Sequence, residues 1–167
     1  MHRRTGDAPP VRPPTIGTVG WILRGAAAGA AGTTALNVVS YLDMAVRGRP
    51  ASSTPQRTVE RLAETARLSV PGEGVARASR LEGLGALTGL VAGVGVGGLL
   101  GLARASGFRA GTLLTTATVL VSTNGPMTVL RVTDPRTWSV TDWVSDLVPH
   151  LAYAAVVTTT LDALDHP

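Results

Sequence analysis

Apolar residues in this chain come in long blocks separated by short charged or Pro- and Gly-containing pieces. Gly83 to Ala103 is 21 residues without a charge, and Ala110 to Leu130 is another 21. Gly25 to Met44 holds one charge, Asp43, and Leu147 to Leu161 holds none. With a rise of 1.5 Å per residue, helices of this length reach about 31 Å, close to the ~30 Å hydrocarbon core of a bilayer. The pattern predicts an all-α fold, an integral membrane bundle of four transmembrane helices near 20–45, 82–103, 110–131 and 143–163. A short amphipathic surface helix is expected near 55–68. Thr54-Pro55 has the chemistry of a helix start, and Val59, Leu62, Ala63 and Ala66 follow at i, i+3, i+4 and i+7. The opposite face carries Arg57, Glu60, Arg61, Glu64 and Arg67, as in a helix lying on a membrane surface or solvated there. Residues 1–15, with three arginines and four prolines, read as a disordered tail, and 16–167 as one membrane domain. The first apolar run exceeds a signal peptide's hydrophobic region and contains Asn37 and Asp43, so no cleavage is expected.

Composition sharpens this picture. Charged residues are 16% of the chain, against roughly 25% in soluble domains, and the mean hydropathy is +0.24. Zero cysteines exclude disulfides, thiolate metal sites and cysteine nucleophiles. All 15 basic residues are arginine, which also removes Schiff-base and P-loop lysines. The sequence pI of about 10.9 raises the question of nucleic acid, but the arginines flank the apolar runs, so no nucleic-acid partner is expected. Trp21, Trp138 and Trp143 stand just before runs, where amphipathic rings rest at the headgroup level. With four spans, Arg3, Arg4, Arg12, Arg24, Arg104 and Arg109 share one side, six in all. Seven arginines of the 47–80 loop with Arg131 and Arg136 give nine on the other, which the positive-inside rule assigns to the cytoplasm.

Gly85, Gly89, Gly93, Gly97 and Gly101 repeat every four residues in the second run. In lipid, helices are held by close backbone approach and dispersion, and a face without side chains permits that approach. The partner is expected to be the first helix, through Gly25, Gly29 and Gly32. A homo-oligomer or a pore-lining face are the other readings.

Polar groups inside the runs are the candidate intramembrane site: Asn37, Tyr41 and Asp43 in the first, Asn124 in the third, and Asp146, His150 and Tyr153 at i, i+4 and i+7 in the fourth. Pro126 has no N–H for the Ser122 carbonyl, so a kink or unwound turn is expected there. An Asp–His pair at this spacing serves as a buried structural hydrogen bond, a proton-binding or gating element, or an interfacial contact. No metal ligand set, cofactor motif or enzyme signature is present, so neither a metal, a cofactor nor an enzymatic activity is expected. In the TDPRTW connection, Asp134 is expected to cap the turn, an arginine to pair with a neighbouring aspartate, and Thr141 to start the last helix.

The stretch from Asn124 to Tyr153 resembles the YagU-like family of small bacterial inner-membrane proteins, a domain of unknown function. The matching positions are Gly125, Met127, Leu130, Thr133, Pro135, Trp138, Ser145, Asp146 and His150, with Asn124 standing where the family has His. The resemblance implies a multi-span inner-membrane fold and brings no biochemical activity with it. The functional expectation is a non-enzymatic assembly or envelope-stress role in the cell membrane, acting through the bilayer and a homo-oligomer or membrane-protein partner. The alternative is a small transporter or channel for protons or small solutes.

Overall fold

A computed structural model describes residues 16–165; the tail expected at 1–15 lies outside the described residues. The fold is all-helical: α1 (Thr18–Arg47), α2 (Thr54–Thr65), α3 (Gly74–Ala105), α4 (Thr112–Val129) and α5 (Val140–Asp165), with a 3-10 turn at Pro135–Thr137. No strand occurs among the described residues. α1 packs most extensively against α3 and then α5, α4 packs on α5, and α2 lies against α3.

Two helices, α3 and α5, are long and apolar enough to cross a membrane by length and composition. α4 is free of charge yet less apolar than that implies, because Thr112, Thr115, Thr116, Thr118, Ser122 and Thr123 dilute it. Most of that polarity is turned inward on the helix itself. Thr116, Thr118, Ser122 and Thr123 donate to the carbonyls of Thr112, Leu114, Thr118 and Val119 at 2.7–2.9 Å. α4 also stays helical through Pro126, so no turn unwinds there.

Helix ends differ from the sequence reading for identifiable reasons. α3 begins at Gly74, eight residues before the expected span. Loss of charge marks the start of an apolar run, not of a helix, and its first turns carry Arg77, paired with Glu60 of α2 at 2.6 Å. α2 stops at Thr65, short of Leu68. Arg67 adopts φ 58° and the Leu68 amide donates to the Ala63 carbonyl at 2.8 Å, closing a left-handed C-terminal motif. α4 ends the same way, with Arg131 at φ 55° and Val132 N–H donating to Met127 at 2.9 Å. A side chain in this conformation costs about 1 kcal/mol relative to glycine. Arg67→Gly and Arg131→Gly are therefore expected to raise stability by about 0.5–1 kcal/mol each, read from the unfolding midpoint.

The last helix is capped by Ser139, not Thr141. Ser139 Oγ accepts from Asp142 N–H at 3.2 Å, while the Asp142 carboxylate accepts from the Ser139 amide at 2.9 Å, a reciprocal box two residues earlier than expected. The connection before it is ordered. Asp134 accepts from the Arg136 amide at 3.1 Å and pairs with its guanidinium at 2.9 Å, which holds the Asp134 carboxyl below its ordinary value of 3.8. Trp138 donates to Thr133 Oγ1 at 2.8 Å and meets Trp143 edge-on, with ring centroids 5.0 Å apart.

The glycine stripe makes the α1–α3 contact. A Cβ on Gly97 would lie 2.6 Å from Gly29 Cα, one on Gly101 3.0 Å from Gly25 Cα, and one on Gly25 2.8 Å from Gly101 Cα. Gly93 abuts Thr33 and the Tyr153 ring. Two positions depart from the expectation. Gly85 faces Pro55 and Gln56 of α2, and Gly89 faces open space. α1 touches α5 along its length, from Arg24 at the Leu164 carbonyl through Gly32 beside Tyr153 and Val157 to Arg47 at Ser145, whereas the glycine stripe of α3 meets α1 as far as the Thr33–Gly93 contact and α2 beyond Gly89.

Candidate functional site

Of the seven polar residues singled out by sequence, the structure joins three. Asn124 Nδ2 on α4 donates to Asp146 Oδ2 on α5 at 2.7 Å. One turn further along α5, His150 Nδ1 contacts the Asp146 main-chain carbonyl at 2.7 Å and its carboxylate at 3.5 Å. The other ring nitrogen, Nε2, faces Thr123 Oγ1 of α4 at 3.3 Å. His150 is buried, so the cluster is a part-enclosed seam between α4 and α5.

The hydrogen-bond logic of this seam admits two protonation states. A carbonyl only accepts, so His150 Nδ1 carries a proton in either state. With neutral imidazole, Thr123 donates to Nε2. With imidazolium, Nε2–H donates to Thr123 Oγ1, whose own proton goes to the Val119 carbonyl 2.9 Å away. Rotation of one hydroxyl separates the two patterns. Two prolines frame the seam: Pro126 and Pro149 withhold an N–H from the carbonyls of Ser122 and Ser145. Pro149 is a feature the sequence reading passed over, although a proline one residue before the histidine was visible.

The remaining candidates lie elsewhere. Tyr153 does not join Asp146 and His150. Its hydroxyl donates to the Gly93 carbonyl of α3 at 2.6 Å and its ring fills the space beside Gly32, so it is the central plug of the core. Asp43 forms its own ion-pair group with Arg47 and Arg49, both at 2.7 Å, at the end of α1. Asn37 and Tyr41 are exposed on the outer side of α1. The spacing i, i+4, i+7 places three α5 residues on one side of a helix, but α5 meets three neighbours along that side.

A second polar centre lies at the opposite end of the bundle. Arg104, the last buried position of α3, pairs with Asp162 and Asp165 of α5, the latter at 3.5 Å, and lies over the Trp21 ring at 5.9 Å. Arg109 holds Asp165 at 2.5 Å, and Arg24 donates to the Leu164 carbonyl at 2.6 Å. Two aspartates in the last turn of a helix oppose its dipole, and arginines from α1, α3 and the α3–α4 loop offset that charge. In the sequence these arginines only flank the apolar runs. The matching Asp162–Asp165 pair was the available signal.

Comparison with protein-family models, with curated proteins and with solved structures gives no match for this chain. No group of three metal-ligating side chains occurs among the described residues.

Proposed function

We propose that this chain is a four-span membrane protein of the cell membrane that acts by assembly, in an envelope or membrane-organising role, rather than by catalysis. The observation that carries the membrane reading is the inside-out distribution of side chains. Large aliphatics face outward along the bundle, among them Leu87, Val91 and Leu99 on α3, Val121 on α4, and Leu147 and Leu151 on α5. The interior combines buried glycine, alanine and threonine with Trp21, Val96, Val119, Val157, Leu161 and the single tyrosine Tyr153. An exposed apolar belt of this kind in water is an aggregation liability, whereas lipid covers it without cost. The self-bonded hydroxyls of α4 support its place as a third span and the tight glycine contact with α3 supports α1 as a fourth. The likeness of residues 124–153 to the YagU-like pattern agrees with this reading.

Assembly is favoured over conduction by where the polar groups stand. A transport path would join Asn37 to Asn124 and His150. Instead Asn37 is on the outer face of α1, and fully buried Tyr153 and Val157 close the centre against Gly32. The second reading, proton binding, rests on the Asn124–Asp146–His150–Thr123 seam. Proton flux into liposomes containing the pure protein separates the two. Flux equal to that of empty liposomes, and unchanged in His150→Ala, is the expected result. Flux above that baseline which His150→Ala abolishes would replace assembly with proton transport.

A further inference from the structure

A half-open cavity of about 10 Å³, room for one water-sized species, lies between α3, α4 and α5 at the Arg104 end of the bundle. Its polar side chains are Arg104, Arg109, Thr115 and Thr158. Two atoms of this lining are buried and unpartnered. Thr115 is fully buried, and its hydroxyl has no hydrogen-bond partner among the described residues. Arg104 is 7% exposed, and its Nε–H, which can only donate, has none either. The Thr158 hydroxyl gives its proton to the Ala154 carbonyl at 2.9 Å, so the donors left in the lining are Arg104, Arg109 and Thr115. α4 begins beside them. Ala110 lines the cavity and Gly111, the N-cap, supplies no side-chain acceptor, so the positive end of the α4 dipole adjoins it. Asp162 and Asp165 pair with these arginines but do not line the cavity. With Arg24 at the Leu164 carbonyl, three arginines meet two aspartates, and one positive charge is left over in this group.

We propose that this cavity binds one monatomic anion of the chloride class, held by Arg104, Arg109 and Thr115 at the start of α4. The site does not depend on the assembly reading. An anion here accepts from both unpartnered donors and offsets the surplus charge, whereas a neutral water does only the first. Size decides against phosphate or sulfate, whose four oxygens exceed a cavity of this volume. Two guanidiniums in the lining decide against a cation. The bound ion joins the end of α3 to the beginning of α4, two helices that otherwise touch little.

The test uses the full chain in mixed micelles, with chloride exchanged for gluconate at constant ionic strength. Chloride is expected to raise the unfolding midpoint in a saturable way, and phosphate to leave it at the gluconate value. Binding is read directly from broadening of the chloride NMR resonance, which added bromide is expected to reverse. Thr115→Val is expected to bind chloride about tenfold more weakly, the loss for a hydrogen bond to a charged group, with Thr115→Ser close to the original. Arg109→Gln, at a side chain 60% exposed and therefore less needed for folding, is expected to weaken binding as well, and it decides the matter if Thr115→Val does not fold. One midpoint in chloride and gluconate, with no broadening, overturns the proposal; a loss of stability in Thr115→Val would then assign the cavity to a bound water. Broadening unchanged in both Thr115→Val and Arg109→Gln would put the anion elsewhere on the chain and overturn it equally.

Discussion

Gly97→Leu is expected to abolish the fold, and Gly97→Ala to destabilise it by about 1–3 kcal/mol, the range for overpacking a close contact. A Cβ at this position would lie 2.6 Å from Gly29 Cα and 2.7 Å from Gly29 N. The obstacle is backbone on the facing helix, so no side chain can rotate aside and α1 must move away from α3. That movement also loosens the neighbouring Gly25–Gly101 and Thr33–Gly93 contacts. Gly89 is the internal control. It belongs to the same four-residue repeat but faces open space, so Gly89→Ala is expected to be neutral or slightly stabilising. Unfolding of the pure protein in mixed micelles measures both. Equal effects at Gly89 and Gly97 would contradict the packing described above.

The second large effect is expected at Arg104. Its side chain is 7% exposed and its partner Asp165 13%, so Arg104→Met leaves a mostly buried carboxylate short of one counter-charge. Removing one member of a buried pair costs about 3–5 kcal/mol, and the lower end applies here because Arg109 still holds Asp165. Loss of the guanidinium from the Trp21 ring adds to the effect. Arg104→Met combined with Asp165→Asn is expected to recover part of the loss, because the uncompensated charge is then gone. Thermal unfolding of the two variants checks this. No recovery in the double variant would mean that packing around Arg104, not charge, sets its contribution.

Much of this arrangement was legible in the chain. Uncharged runs located α3, α4 and the body of α5, and the glycine repeat named the face by which α3 meets α1. Asp134 and Arg136 formed the turn contact that their spacing implied. What failed to show was anything set by where helices cross. The repeat of glycines has no mark at Gly89, because which glycine meets a neighbour and which faces open space depends on where the facing helices run, not on the spacing itself. For the same reason Asn37 and Tyr41 could not be told from core polar residues: a helix with little amphipathic contrast does not reveal which side is covered. Tyr153 shares a face with His150 by periodicity, yet it reaches across to Gly93 because that glycine leaves room for a ring. The Arg104 centre was hidden by sequence distance, since its partners lie 58 and 61 positions further on.

The central claim, four membrane spans with the α1–α3 hairpin beside α4 and α5, is tested most directly by cysteine accessibility in sealed vesicles. Ser53→Cys in the α1–α2 connection and Thr137→Cys before α5 are expected to react with a membrane-impermeant maleimide from one side. Ser106→Cys, after α3, is expected to react only from the other. Leu87→Cys and Val121→Cys are expected to stay unlabelled until detergent is added. Labelling of Ser53→Cys, Thr137→Cys and Ser106→Cys from a single side, or ready labelling of Leu87→Cys and Val121→Cys in intact vesicles, would contradict it.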